Sequence, residues 1–295
     1  MQPTAERHLL DIDGHLVCAD VHLRDDPRPP VVFLHGVMAS VAVARELVDD
    51  PEAESWIAVS LPGHHPGRFP PGMPQAAIDE ALFADLVEAA LERLVGGRSV
   101  IAVGWSTGGF AALALAIRHP RRVAAVATLA GFASGRFTGL IGWIQWFALH
   151  RLGRPVLRTG LWLTGRVPLL HDAATRLLAG TVAAGLAVPG PVIARMRGDF
   201  ARHEPEAIYS MLAVLHGIDI TDRLGAVAVP VWVAGGGRDP IIPVAETRRL
   251  AASIPGAELR LYDAGGHLFF CEWPGFRADF ARWLAGARRR VAADR

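Results

Sequence analysis

A mostly parallel α/β sheet with helices on both faces is the fold class this sequence predicts. Three observations carry it: an N-terminal hairpin pattern, apolar runs of strand length, and helical segments between those runs. Alternating segments at residues 7–11 and 16–23 flank Asp13-Gly14 and read as a β-hairpin. Val31-Val32-Phe33-Leu34 is apolar throughout, as a strand covered on both faces must be. A strand at 56–60 ends at Leu61-Pro62-Gly63, and a helix over 75–94 places Ile78, Leu82, Leu86 and Leu91 on one stripe. Strand 99–103 runs into a helix carrying Ala111 to Ile117 and closed by His119-Pro120; strands at 123–129, 231–234 and 259–262 follow. Residues 132–217 break the alternation: this stretch is rich in Trp, Leu and Arg and reads as several helices inserted between two strands. The expected organisation is a core of residues 1–131 and 218–295 with a helical cap or lid of residues 132–217 over the C-terminal strand edge, where open α/β sheets bind ligands.

Composition narrows the function. The 295 residues are 51% hydrophobic and 20% charged, which describes a chain with a substantial core. Thirty basic residues, all arginine, nearly balance 29 acidic ones for a net charge of +1, so no global field points to nucleic acid. The two cysteines, Cys18 and Cys271, form neither a metal spacing nor a disulfide framework. The N-terminal residues carry no apolar leader segment, and the most apolar stretch, 140–149, is too short to span a bilayer. A cytoplasmic protein without metal or organic cofactor is expected.

Gly104-Trp105-Ser106-Thr107-Gly108 joins the strand at 99–103 to the following helix and reads as a nucleophile elbow. The turn is tight enough that side chains two residues either side of the serine would collide with neighbouring backbone, and the helix N-terminus favours developing negative charge. Ser106 needs a base and an orienting acid. Gly265-Gly266-His267 follows the last strand and supplies an imidazole; Asp239, in Gly236-Gly237-Arg238-Asp239 after the strand at 231–234, supplies the carboxylate. The chain order Ser…Asp…His matches. His35-Gly36 ends the strand at 31–34, so the Val37 amide, with the Thr107 amide, is placed to form an oxyanion hole, His35 serving as loop organiser. Trp105, Trp143, Trp146, Phe147 and Leu268 are the candidate lining of the substrate pocket.

These motifs resemble the α/β-hydrolase superfamily over nearly the whole chain. The resemblance implies an eight-stranded, mostly parallel sheet, a helical cap after the sixth strand, and the triad Ser106, Asp239 and His267. It departs at Ser60-Leu61-Pro62-Gly63-His64-His65, where many members carry Asp-x-Pro-Gly-x-Gly. The elbow Gly-Trp-Ser-Thr-Gly-Gly and the segment from Gly266 to Pro274 are similar to pimeloyl-ACP methyl ester carboxylesterases, which implies a serine esterase acting on a small-molecule ester. The same triad also serves thioesterases, acyltransferases, lactonases, C–C hydrolases and perhydrolases or haloperoxidases, and a silent ligand-binding member is the reading from another class. Between residues 132 and 217 stand nine arginines and four acidic residues. They read either as solvated helix faces around an ordinary cap core, or as a cationic rim for an acyl carrier protein or an anionic lipid surface.

Overall fold

The structure, a computed structural model, describes residues 5–42, 47, 54–179, 188–273 and 275–293. Of the segments read above, residues 1–4, residues 180–187 of the insertion and Pro274 of the C-terminal motif lie outside these. The hairpin forms as β1 (Glu6–Ile12) and β2 (His15–His22), paired antiparallel around Asp13-Gly14, both at positive φ. The sheet continues with β3 (Val31–Leu34), β4 (Trp56–Val59), β5 (Val100–Trp105), β6 (Val123–Leu129), β7 (Val231–Gly236) and β8 (Glu258–Tyr262). Its eight strands lie in the order β1-β2-β4-β3-β5-β6-β7-β8. From β4 to β8 every pairing is parallel, so the C-terminal ends of β3, β5, β7 and β8 lie along one edge. This is the predicted fold class.

Two-residue periodicity decides what each strand buries. Val32, Leu34, Val100 and Ala102 enter one apolar cluster, with helices α1 (Glu80–Val95), α2 (Thr107–Arg118) and α8 (Val244–Ser253). Val31, Phe33, Ile101 and Val103 enter the other, with α9 (Phe269–Glu272) and α10 (Phe276–Ala293). Both faces are covered, which is why these strands read as continuous apolar runs. Between β6 and β7 lie α3 (Gly139–Leu149), α4 (Gly153–Arg166), α5 (Pro168–Ala179), α6 (Gly190–Phe200) and α7 (Pro205–Leu215). No helix among the described residues is long and apolar enough to cross a membrane.

The helix expected at 75–94 is divided. A 3₁₀ turn occupies Gln75–Ala77, and α1 starts only at Glu80, because the Asp79 side chain accepts from the Leu82 amide and caps it. Ile78 is buried from the connecting turn instead of from the stripe. Arg288 of α10 pairs with Glu54 across the fold.

One buried cation ties these layers together. Arg122, just before β6, has a side chain only 5% exposed and donates to Glu88 at 2.7 and 2.8 Å and to Glu92 on α1. It also donates to the carbonyls of Gly96 and Arg98. Removing it strands the part-buried Glu88 carboxylate and two carbonyls; Arg122→Ala should destabilise the fold by about 3 kcal/mol, read as a lower urea midpoint.

Candidate active site

The elbow is a backbone-on-backbone contact. A Cβ at Gly104 would lie 2.0 Å from the Gly108 carbonyl oxygen, and one at Gly108 would lie 2.0 Å from that of Leu34. Neither neighbour can yield, so both positions require glycine. Ser106 sits between them at φ 54° and ψ −119°, a left-handed strained backbone for an L-residue. Its amide donates to Leu129 O at 2.8 Å, and its own carbonyl accepts from Gly109 N at 2.8 Å to open α2. The strain is thus held by β6 on one side and by the first helical turn on the other.

Asp239 follows β7, and its side chain is 1% exposed. One carboxylate oxygen accepts from the Ile241 and Ile242 amides at 2.8 and 2.9 Å, which fixes the rotamer. The other accepts from His267 Nδ1 at 2.8 Å. With Nδ1–H committed to this bond, Nε2 keeps its lone pair. The loops after β7 and β8 lie against each other: Gly237 N donates to Tyr262 O and Arg238 N to Gly265 O. A Cβ at Gly236 would meet Gly266 O at 2.3 Å, which explains the glycine runs in both. His267 is held further from two directions. Its amide donates to Ala179 O at the end of α5 at 2.9 Å, and Trp105 Nε1 donates to its carbonyl at 3.1 Å.

Ser106, His267, Val37 and Thr107 line one cavity of about 410 Å³. Neither the Val37 nor the Thr107 amide has an acceptor among the described residues. Trp105 and Leu268, among the residues read from sequence, line the cavity. Trp143, Trp146 and Phe147 do not: they are exposed on the outer side of α3, and Ile141 and Ile144 line the cavity from that helix. Apart from the buried Gln145, helix α3 is apolar on all sides, so its sequence carries no clear inward stripe to read. The rest of the wall includes Phe137, Leu157, Leu161, Met196, Phe200 and Leu212.

Three buried histidines support the turn below Val37. His35 donates from Nδ1 to Gly36 O at 2.8 Å and accepts at Nε2 from Leu61 N at 3.0 Å. Its ring lies 4.9 Å from that of His64, which lies 5.2 Å from that of His203 between α6 and α7. His203 donates from Nε2 to Ala39 O and accepts from His65 N, each at 3.0 Å. In place of the aspartate common at position 60, Ser60 bonds the Cys18 backbone through Oγ and N, so the loop stays tied to β2. Burial pushes His35, His64 and His203 down to about 3, and the neighbouring imidazoles add to it. His203 carries no motif in the sequence and is legible only once α6 and α7 are folded against the sheet edge.

The order of elements, the elbow and the sheet edge together admit comparison with known proteins. A model described as "Alpha/beta hydrolase family" matches residues 31–283. The chain belongs to the α/β-hydrolase family. Pimeloyl-[acyl-carrier protein] methyl ester esterase of Neisseria meningitidis serogroup A is 30% identical to this α/β hydrolase over 260 residues, covering 87% of this chain and 77% of that protein. The protein of the same name from Aromatoleum aromaticum is 27% identical over 268 residues, covering 84% and 94%. A thermophilic esterase from Thermogutta terrifontis superposes with a TM-score of 0.72 at 20% identity, covering 96% of this chain and 100% of that one.

The neutral histidines set the acid response of this α/β hydrolase. Below pH 6.5 the unfolded chain takes up protons that the buried rings resist, so stability falls as pH drops toward 3. The limiting slope for one such group is about 1.4 kcal/mol per pH unit, and the three rings share their shifts through mutual contact. Urea titrations at pH 7, 6, 5 and 4 should show steadily declining stability, and a flat profile from 6 to 4 would contradict charged-state exclusion at this cluster.

Proposed function

We propose that this α/β hydrolase cleaves carboxylic esters with apolar acyl groups, through an acyl-enzyme on Ser106. The observation that carries the reading is the Asp239–His267 bond of 2.8 Å, with Ser106 and His267 on the wall of one cavity. His267 Nε2 takes the Ser106 proton as Oγ attacks the ester carbonyl, and Asp239 holds the tautomer and balances the imidazolium. The Val37 and Thr107 amides receive the oxyanion; one such donor is worth about 3 kcal/mol of barrier. Collapse of the tetrahedral species expels the alcohol with the proton from His267. Water then attacks the acyl-enzyme by the same route, giving the acid and free Ser106. His35 and Gly36 position the Val37 amide.

Helices α3–α7, within residues 132–217, serve as a cap over this edge, and the cavity beneath it supports an uncharged acyl chain of medium length. Relatives bearing the name pimeloyl-[acyl-carrier protein] methyl ester esterase support an ester substrate.

Ser106→Ala should lower kcat/KM at least 10³-fold on p-nitrophenyl esters and abolish labelling by a fluorophosphonate, with the urea midpoint kept; full turnover in that variant would refute the assignment. On a C2 to C12 ester series the native enzyme should prefer medium chains over acetate. Leu161→Trp, which fills the cavity, should shift the optimum to shorter chains; an unchanged profile would place the acyl chain elsewhere.

A further inference from the structure

The outer side of the cap is apolar to a degree that neither the core nor the cavity accounts for. Of the fifteen large hydrophobic side chains exposed among the described residues, twelve lie between positions 143 and 177. Trp143 is 64% exposed, Leu152 88% and Leu169 80%. Helix geometry separates this face from the cavity. Ile144 and Ala148 of α3 and Leu157 and Leu161 of α4 pack with Ile208, Tyr209 and Leu212 of α7. Trp143, Trp146 and Phe147 of α3 and Val156, Trp162 and Leu163 of α4 occupy the exposed positions of the same helices. Water contact on this scale is costly and marks an interaction surface.

Charge selects the partner. Residues 139–179 hold five arginines and a single acidic residue, Asp172, which pairs with Arg197 of α6. Arg151, Arg166 and Arg176 have no ion-pair partner among the described residues, and Arg166 lies over the Trp162 ring at 5.6 Å. Exposed Trp and Leu set among unpaired Arg is the composition of a helix surface that lies in a lipid headgroup layer, the rings at the interface and the guanidinium groups on phosphate. A second copy would bring the same arginines face to face across a two-fold axis. An acidic carrier protein would answer the arginines and leave the leucines against polar surface.

We propose that α3–α5 dock this protein on an anionic lipid bilayer surface, with the outer face of the cap seated in the headgroup layer. Leu170 is exposed on this side and also lines the cavity, so the cavity wall reaches the docked face. The docking itself does not depend on the triad.

The test is sedimentation of the full-length protein with vesicles of phosphatidylcholine alone or with 30% phosphatidylglycerol. Binding to the anionic vesicles is expected, weakened at least tenfold by 0.5 M salt and accompanied by a blue shift of tryptophan emission. The variant Trp143→Ser/Leu152→Ser/Leu169→Ser should lose at least tenfold in partitioning while keeping its rate on a soluble short ester, since none of the three lines the cavity. Ser106→Ala should bind vesicles as the native protein does, which separates this inference from the proposed chemistry. No sedimentation with either vesicle overturns it. So do equal binding to both vesicle types, a dimer in solution that the triple variant dissolves without any vesicle binding, and binding of an acyl carrier protein in place of vesicles.

Discussion

The approach of α2 to β3, with Gly108 lying on the Leu34 carbonyl and Gly104 on Gly108, is the constraint from which the site follows. It forces the chain to turn within one residue, and that residue is Ser106 in a left-handed conformation. Such strain persists only where the surroundings over-determine it. Here the Ser106 amide is bonded to β6 and its carbonyl is bonded into α2, both inside the apolar clusters of the sheet. Core packing and site geometry are therefore one problem: whatever loosens α2 from β3 moves Oγ.

A second layer of order is a row of three buried histidines. The His35, His64 and His203 rings run from the end of β3, through the loop after β4, to the turn between α6 and α7. His35 and His203 each use one ring nitrogen as donor and the other as acceptor, an arrangement open only to neutral imidazole. His64 donates to Pro62 O, and its Nε2 has no partner among the described residues. The contacts of His203 with Ala39 and His65 connect the helices between β6 and β7 to the loop carrying Val37, so those helices and that turn are set together.

Much of this was legible in sequence, for definite reasons. Strands covered on both faces must be apolar at every position, so β3, β5 and β6 announce themselves. Asp239 and His267 each stand in a glycine-rich loop after a strand, and β7 and β8 are neighbours, so their contact follows from the topology. The start of α1 was not legible, because an apolar Ile78 before the cap continues the helical stripe while the backbone there is extended. The pocket face of α3 was not legible either: where a helix is apolar all round, periodicity cannot say which side is inside. His203 was silent because its partners lie some 140 to 160 residues away in sequence.

Trp105 occupies a position that the Gly-x-Ser-x-Gly pattern writes as free. In this chain its indole holds the His267 carbonyl, its ring lies 5.5 Å from the imidazole, and a Cβ on Gly36 would meet it at 3.2 Å. One side chain thus acts as a spacer between the turn after β3, the elbow and the loop after β8. The variable letter of the motif is here a gauge for the other letters, so grafting this elbow onto a related scaffold requires transplanting the indole with it.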